Sequence, residues 1–213
     1  MCGKIHQASQ LAIASLYWRS DMWDYRKEIR KPLNQGSLLL SEPFLKDSEF
    51  ARSVSLLCFH DKQEGSMGFI LNRPLKVQLH DILDIETPNT FPIYSGGPVA
   101  QDTLLFIHKN LPLIEGTMPI TNGWQYGGSH EQLLATLQEE STDPNCVRLF
   151  LGYSGWDAGQ LRKEIIDNSW IINHLDAVNP FEYSTPGMWK SIMASMGDPY
   201  ESMANMPIDP SLN

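Results

Sequence analysis

SVSLLCFHDKQEGSMGFILNRP, residues 53–74, holds two apolar runs joined by a polar link. SVSLLCF (53–59) and MGFILN (67–72) are short, rich in branched or bulky apolar residues and bounded by charged and turn-forming residues, the pattern of strands. HDKQEG between them has the length of a hairpin connection, so the two strands are expected to lie antiparallel as neighbours.

Upstream, SLLLS (37–41) reads as a further strand, closed by Glu42 and Pro43. Downstream, VQLHDIL after Pro74 spaces Val77, Leu79, Ile82 and Leu83 as a short helix would. FPIYSGG and TLLFIHK read as strands separated by GGPVAQD, a turn that must reverse the chain. Ser129, with Gln132 three residues on, forms a capping-box pattern before LLATLQEE. VRLFLGY then returns as a strand, and Ala158 to Trp170 reads as a second helix with Leu161, Ile165 and Ile166 on one face. A third helix is expected from about Pro186 to Met196, since Pro suits a helix's first position and Gly197 its end. Strands dominate the first half and helices the second, which is the order of an α+β fold.

The chain divides into three parts. Residues 1–35 place Ile5, Ala8, Leu11, Ala12 and Leu16 near helical spacing before the charged run DYRKEIRK, an appendage, helical or loosely ordered, that packs on the body or on a partner. Residues 36–197 form a single domain. Residues 198–213, rich in Pro, Asn and Ser, are expected to trail irregularly along the surface.

The 213 residues are 42% hydrophobic and 19% charged, with a formal net charge of −9. These are the proportions of an ordinary globular chain. Residues 1–35 hold six basic side chains against three acidic ones, a net +3, so the remainder carries −12. So acidic a body repels phosphate backbones, and direct nucleic-acid binding is disfavoured. Cys2, Cys58 and Cys146 are too few and too scattered for a disulfide framework or a CxxC metal site, which implies a reducing compartment. No stretch approaches the length of a membrane span, and a cytoplasmic location is the expectation.

LGYSGWDAGQL (151–161) offers a serine between a strand and a helix. A nucleophile elbow needs small residues two positions either side of that serine; Gly152 fits and Trp156 does not. The only histidine after Ser154 is His174, at the end of the helix that the elbow would start. A backbone turn that needs Gly152, Gly155 and Gly159 is the better reading. In LNRP, Asn72 and Arg73 end a strand and Pro74 extends the backbone, so Arg73 could offer its planar fork to a carboxylate or phosphate, or pair with an acidic side chain of the protein itself. YSGGPV lacks the spacings of a phosphate cradle, and Gly96 and Gly97 suit close backbone packing. His130-Glu131 opens an HExxH that Leu134 leaves unfinished; no metal and no cofactor are expected.

GSLLLSEPFL, FARSVSLLCFHD, GSMGFILNRPL, YSGGPV, LLFIH and LGYSGWDAGQLRKEIIDNSW, in this order, resemble the YqgE/AlgH family of bacterial proteins over about Gly36 to Gly197. The resemblance implies an α+β domain whose mostly antiparallel strands curl into a barrel-like sheet with helices packed outside. It implies little about activity. Members commonly carry alanine at the position of Ser154, and one branch is linked by name to transcriptional regulation of alginate production. No helix-turn-helix pattern accompanies that link here.

The leading expectation is therefore a regulatory or binding protein without catalysis, acting on a small anion or a partner protein where the NRP, GGPV and GYSGW turns converge. Asn72, Arg73, Gly96, Gly97, Tyr153, Trp156 and Gln160 are its candidate residues. Two alternatives stay open. One is an enzyme acting on a small phosphorylated or carboxylated substrate, with Arg73 for binding and His60 or His108 as acid/base. The other is a nucleic-acid-binding regulator. Oligomeric state has no signal in the sequence.

Overall fold

The computed structural model describes residue 28 and residues 30–207. The strands are β1 (Ser37–Ser41), β2 (Val54–Asp61), β3 (Gly65–Ile70), β4 (Ile93–Ser95), β5 (Val99–Lys109), β6 (Met118–Pro119), β7 (Trp124–Tyr126), β8 (Val147–Trp156) and β9 (Trp170–His174). The helices are α1 (Leu79–Ile82), α2 (His130–Leu137), α3 (Gln160–Ile166), α4 (Met188–Ser195) and α5 (Tyr200–Ala204). Eight strands lie in the order β6-β7-β5-β8-β3-β2-β1-β9, open at both ends, and β4 joins on β8. The class is α+β, and every pairing is antiparallel except β4 with β8.

Helices cover the sheet on both faces, which explains why SLLLS is buried throughout. Successive side chains of a strand point to opposite faces. Leu38 and Leu40 pack with Met188, Trp189, Ile192 and Met193 of α4, whereas Leu39 packs with Leu161 and Ile165 of α3. A third cluster sets Leu133 and Leu137 of α2 against Phe106 and Leu149.

The β2–β3 hairpin forms with Leu56 opposite Phe69 and Asp61 opposite Gly65, as the opening stretch requires. β8 is the spine of the sheet. Its first half pairs with β5 along one edge and with β4 along the other, Ile93 opposite Leu149. Its second half pairs with β3, Met67 opposite Gly155. Gly96 sits in the fork between β3 and β4: its N–H donates to the Leu151 carbonyl (2.9 Å) and its carbonyl accepts from the Ile70 N–H (3.0 Å).

Four expectations are corrected. The second helix is Gln160–Ile166, not Ala158–Trp170: the backbone turns at Asn168 with φ 64°, and WIINH forms β9 on β1, Leu39 opposite Ile172. The GGPVAQD turn is shorter than read, because Val99 to Asp102 belong to β5 as an irregular stretch between Val99, opposite Tyr153, and Leu104, opposite Leu151. Only half of the capping box at α2 forms. Ser129 Oγ accepts from the Gln132 N–H (3.3 Å), but the Gln132 side chain accepts from the Glu115 N–H (2.7 Å).

The fourth correction concerns the ends of the chain. The segment after Gly197 forms α5, with Ala204 buried and packed against α4, instead of trailing along the surface. The helical pattern read in residues 1–27 lies outside the described residues, as do residues 208–213. Glu28 and Lys31 lie against β9. The Ile172 N–H donates to Glu28 Oε2 (2.6 Å) and the Lys31 ammonium donates to the Ile172 carbonyl (2.6 Å).

Candidate functional site

GYSGW, expected as a turn, is the end of β8, and the glycines of YSGGPV pack against its backbone. A Cβ on Gly96 would stand 2.1 Å from the Gly152 carbonyl oxygen, and one on Gly97 2.4 Å from the Tyr153 carbonyl carbon. Ser154 has no exposed surface, and its hydroxyl donates to the Gly96 carbonyl (3.1 Å). That hydroxyl is a stitch in the fork.

The side chains of Asn72 and Arg73 bond to the 51–54 segment and not to this fork. The Asn72 side chain bridges two backbones, accepting from the Val54 N–H (3.0 Å) and donating to the Arg52 carbonyl (2.9 Å). The Arg73 guanidinium donates to the Ala51 carbonyl. Burial holds its pKa below the ordinary arginine value, and Glu49 acts in the opposite direction.

Trp156 is 5% exposed and belongs to the layer between the sheet and α3. Its indole N–H donates to Glu164 Oε2 (3.0 Å), and so does that of Trp170 (2.8 Å). Gln160 completes the group: its amide donates to Glu164 Oε1 (2.9 Å) and its carbonyl accepts from the Asp157 N–H (2.9 Å). Glu164 was invisible to sequence reasoning, because nothing in its spacing announces that one carboxylate serves two indoles.

Tyr153 leads to a cleft. At the end of the sheet where the β2–β3 hairpin, the start of β5 and the end of β8 meet, a cleft of about 580 Å³ is walled by Phe59, Met67, Val99, Leu105 and Tyr153. Trp156 borders it, Ser66 lines it, and Glu64 and Asp157 stand at it as exposed carboxylates. Gly155 keeps a wall low, since a Cβ there would lie 3.3 Å from the Tyr153 ring. Val99 is 37% exposed, and the residues that follow it, through Thr103, lie on the irregular part of β5 with exposed side chains. Strand irregularities of this kind gather at functional edges.

The histidines are dispersed. His60 Nδ1 lies 2.7 Å from the Ser66 hydroxyl, its cross-strand neighbour. Burial lowers the His60 pKa, Asp61 opposes this and Lys62 adds to it. His108 is buried beside Phe106, its Nε2 has no hydrogen-bond partner among the described residues, and burial lowers its pKa. His130 Nε2 lies 2.7 Å from the Leu104 carbonyl and, as the donor, caps the edge of β5. Among the described residues no three metal-ligating side chains gather. Of the candidates, then, Gly96, Gly97 and Tyr153 meet at the fork, and Tyr153 and Trp156 line the cleft. His60, Asn72, Arg73, Gln160 and His108 do not line it.

A family profile described as AlgH-like matches residues 38–201, from the second residue of β1 into α5. The chain belongs to the AlgH-like family. Similar relatives include a UPF0301 protein of Bacteroides fragilis, 40% identical over 181 residues that cover 84% of this chain and 91% of that protein. Another is a UPF0301 protein of Cytophaga hutchinsonii, 37% identical over 85% of this chain and 100% of that protein. The solution structure of AlgH from Pseudomonas aeruginosa superposes with a TM-score of 0.64 at 26% identity, over 84% of this chain and 97% of that one. A crystal structure from Corynebacterium diphtheriae has a TM-score of 0.63 at 19% identity, over 85% and 97%, and shares the fold. The AlgH-like domain therefore contains the fork, the cleft and the Glu164 group, while residues 28–31 lie ahead of the matched span. Among the described residues no helix is long and apolar enough to cross a membrane.

Proposed function

We propose that the protein is a regulatory binding protein whose site is the cleft at Tyr153, and that the cleft receives a segment of a partner protein carrying an apolar side chain beside a basic one. The observation that carries this reading is the lining itself. Half-buried Phe59, Met67, Leu105 and Tyr153, with exposed Val99, offer apolar contact next to the carboxylates of Glu64 and Asp157. Methionine adapts to varied side chains, and tyrosine gives contact area with little entropy to lose. Rim carboxylates favour cationic residues and disfavour phosphates. The net charge of −9 points the same way, so any transcriptional effect runs through a protein partner and not through DNA. The free thiols Cys58 and Cys146 fit a cytoplasmic setting. Arg73, spent on the Ala51 carbonyl, is not the anion contact in this reading.

The test is fluorescence anisotropy with two synthetic peptides of equal apolar content, one flanked by lysines and one by glutamates. The lysine peptide binds and the glutamate peptide does not; Tyr153→Ala weakens binding at least tenfold, and Glu64→Lys weakens it in low salt more than in high. Equal binding of both peptides, or indifference to Tyr153→Ala, contradicts the assignment.

A further inference from the structure

Burial lowers the pKa of three arginines among the described residues, Arg52, Arg73 and Arg148. Two of them are occupied, Arg52 by the Met206 carbonyl and Arg73 by the Ala51 carbonyl. Arg148 makes no hydrogen bond among the described residues and belongs to neither of their ion pairs, which join Glu28 to Lys31 and His80 to Asp81. Its guanidinium carbon lies instead 4.9 Å from the ring centroids of both Tyr94 and Phe181. Strand alternation puts Arg148 on the face of Phe150, whose partner on β4 is Tyr94, so the strand itself delivers the cation to these rings. Aromatic faces attract a cation but offer its five N–H groups no oxygen acceptor. Nη1 is buried without a partner. Nε and Nη2 also lack one but are not buried to that degree, so this edge of the half-buried side chain keeps contact with the surface. Nε–H and one Nη2–H lie side by side, the pair of donors that matches the two oxygens of a carboxylate. Glu182, next to Phe181 in the chain, is exposed, and its Oε1 accepts from the Asn179 amide (3.0 Å) instead of pairing with Arg148.

We propose that Arg148 anchors a second ligand site, separate from the cleft at Tyr153, and that its Nε–Nη2 edge binds the carboxylate of a small organic acid. Arg148, Tyr94 and Phe181 line no part of that cleft, so the site stands independently of the peptide-binding reading. A half-buried charge without a counter-ion is costly to hold, and an arriving anion supplies the missing partner. One guanidinium neutralises one charge. The net charge of −9 therefore favours a monocarboxylate over a phosphate dianion. Half-buried Phe181, packed on Trp124 with ring centroids 4.3 Å apart, offers ring surface beside the cation to the apolar part of the acid.

The experiment follows the arginine Nε–Hε signals of the isotope-labelled full chain by nuclear magnetic resonance while sodium benzoate is added at constant ionic strength, held with sodium chloride. The Arg148 signal is expected to shift saturably while those of Arg52 and Arg73 stay in place, and inorganic phosphate is expected to bind more weakly than benzoate. Arg148→Lys, which keeps the charge and loses the planar fork, should weaken binding roughly tenfold, and Arg148→Met should abolish it. Three results overturn the proposal: no saturable shift at Arg148, phosphate binding as tight as benzoate, or benzoate shifts at the Tyr94 and Ile107 amides that persist in Arg148→Met. Benzoate binding that appears only in Glu182→Gln overturns it as well, since Arg148 is then paired within its own chain. If Arg148→Met does not fold, the wild-type titration at Arg148 Nε decides.

Discussion

Gly152 and Glu164 carry more of the structure than their chemistry advertises. Gly152 has φ +72°, and a Cβ on it would stand 2.7 Å from the carbonyl oxygens of both Gly97 and Val99. Gly152→Ala combines backbone strain with a clash against two fixed backbones and should cost about 3 kcal/mol or more. Gly127, at φ +70° with nothing within 4 Å of the same position, is the control: Gly127→Ala should cost about 1–2 kcal/mol, both read from urea unfolding. Glu164→Ala leaves the indole N–H groups of Trp156 and Trp170 without their acceptor in a buried layer. It should cost roughly 3 kcal/mol and alter near-ultraviolet dichroism, since an unsatisfied buried donor costs about 1–3 kcal/mol. The need for glycine around Ser154 could be read from the spacing of Gly152 and Trp156. The Glu164 group could not, because it joins residues of a strand, a helix and the next strand through side-chain geometry that no periodicity encodes.

The hairpin, β1 and α4 were legible because each has its own local signal: apolar runs with turn residues between them, or Pro and Gly at the two ends of a helix. β9 was not. Trp170 lies four residues after Ile166 and extends the helical stripe, and the deciding features are the turn at Asn168 and the exposed edge of β1 that β9 covers. The outer edge of β9 is covered in turn. Ile172 donates to Glu28 and accepts from Lys31, and Glu28 Oε1 also accepts from the Tyr200 hydroxyl (2.6 Å) and lies 2.7 Å from the Lys31 ammonium. An uncovered strand edge is a template for association. Glu28→Ala should therefore cost about 2–3 kcal/mol, speed hydrogen exchange at the Ile172 amide and promote self-association visible by light scattering. Unchanged exchange at Ile172 would show that these contacts do not protect the edge.

Three half-buried or buried histidines, His60, His108 and His174, have pKa values lowered mainly by burial. The unfolded chain binds protons at these positions from about pH 6.5 downward, before the folded chain does. Stability is thus fully present above that pH and falls as the pH drops towards the folded values, because the unfolded state then holds more protons. Urea midpoints should decline between about pH 6.5 and 5, and His108→Gln should flatten the slope. On the alkaline side, burial pushes the Cys58 thiol up, so stability should fall as pH rises past the ordinary thiol value near 8.5.

Taken as one molecule, the order of the sheet brings Phe59, Met67, Val99 and Tyr153 from four strands to one cleft. Only Tyr153 and Trp156 of these walls were named from the sequence, since cross-strand neighbours far apart in the chain leave no mark on local spacing. The measurement that bears most directly on this cleft is amide chemical-shift mapping of the labelled protein titrated with the lysine-flanked apolar peptide. Shifts concentrated at Met67, Val99, Leu105, Tyr153 and Asp157 are the predicted result. Shifts centred instead on Asn72 and Arg73, or none at saturating peptide, would contradict the cleft as the binding site.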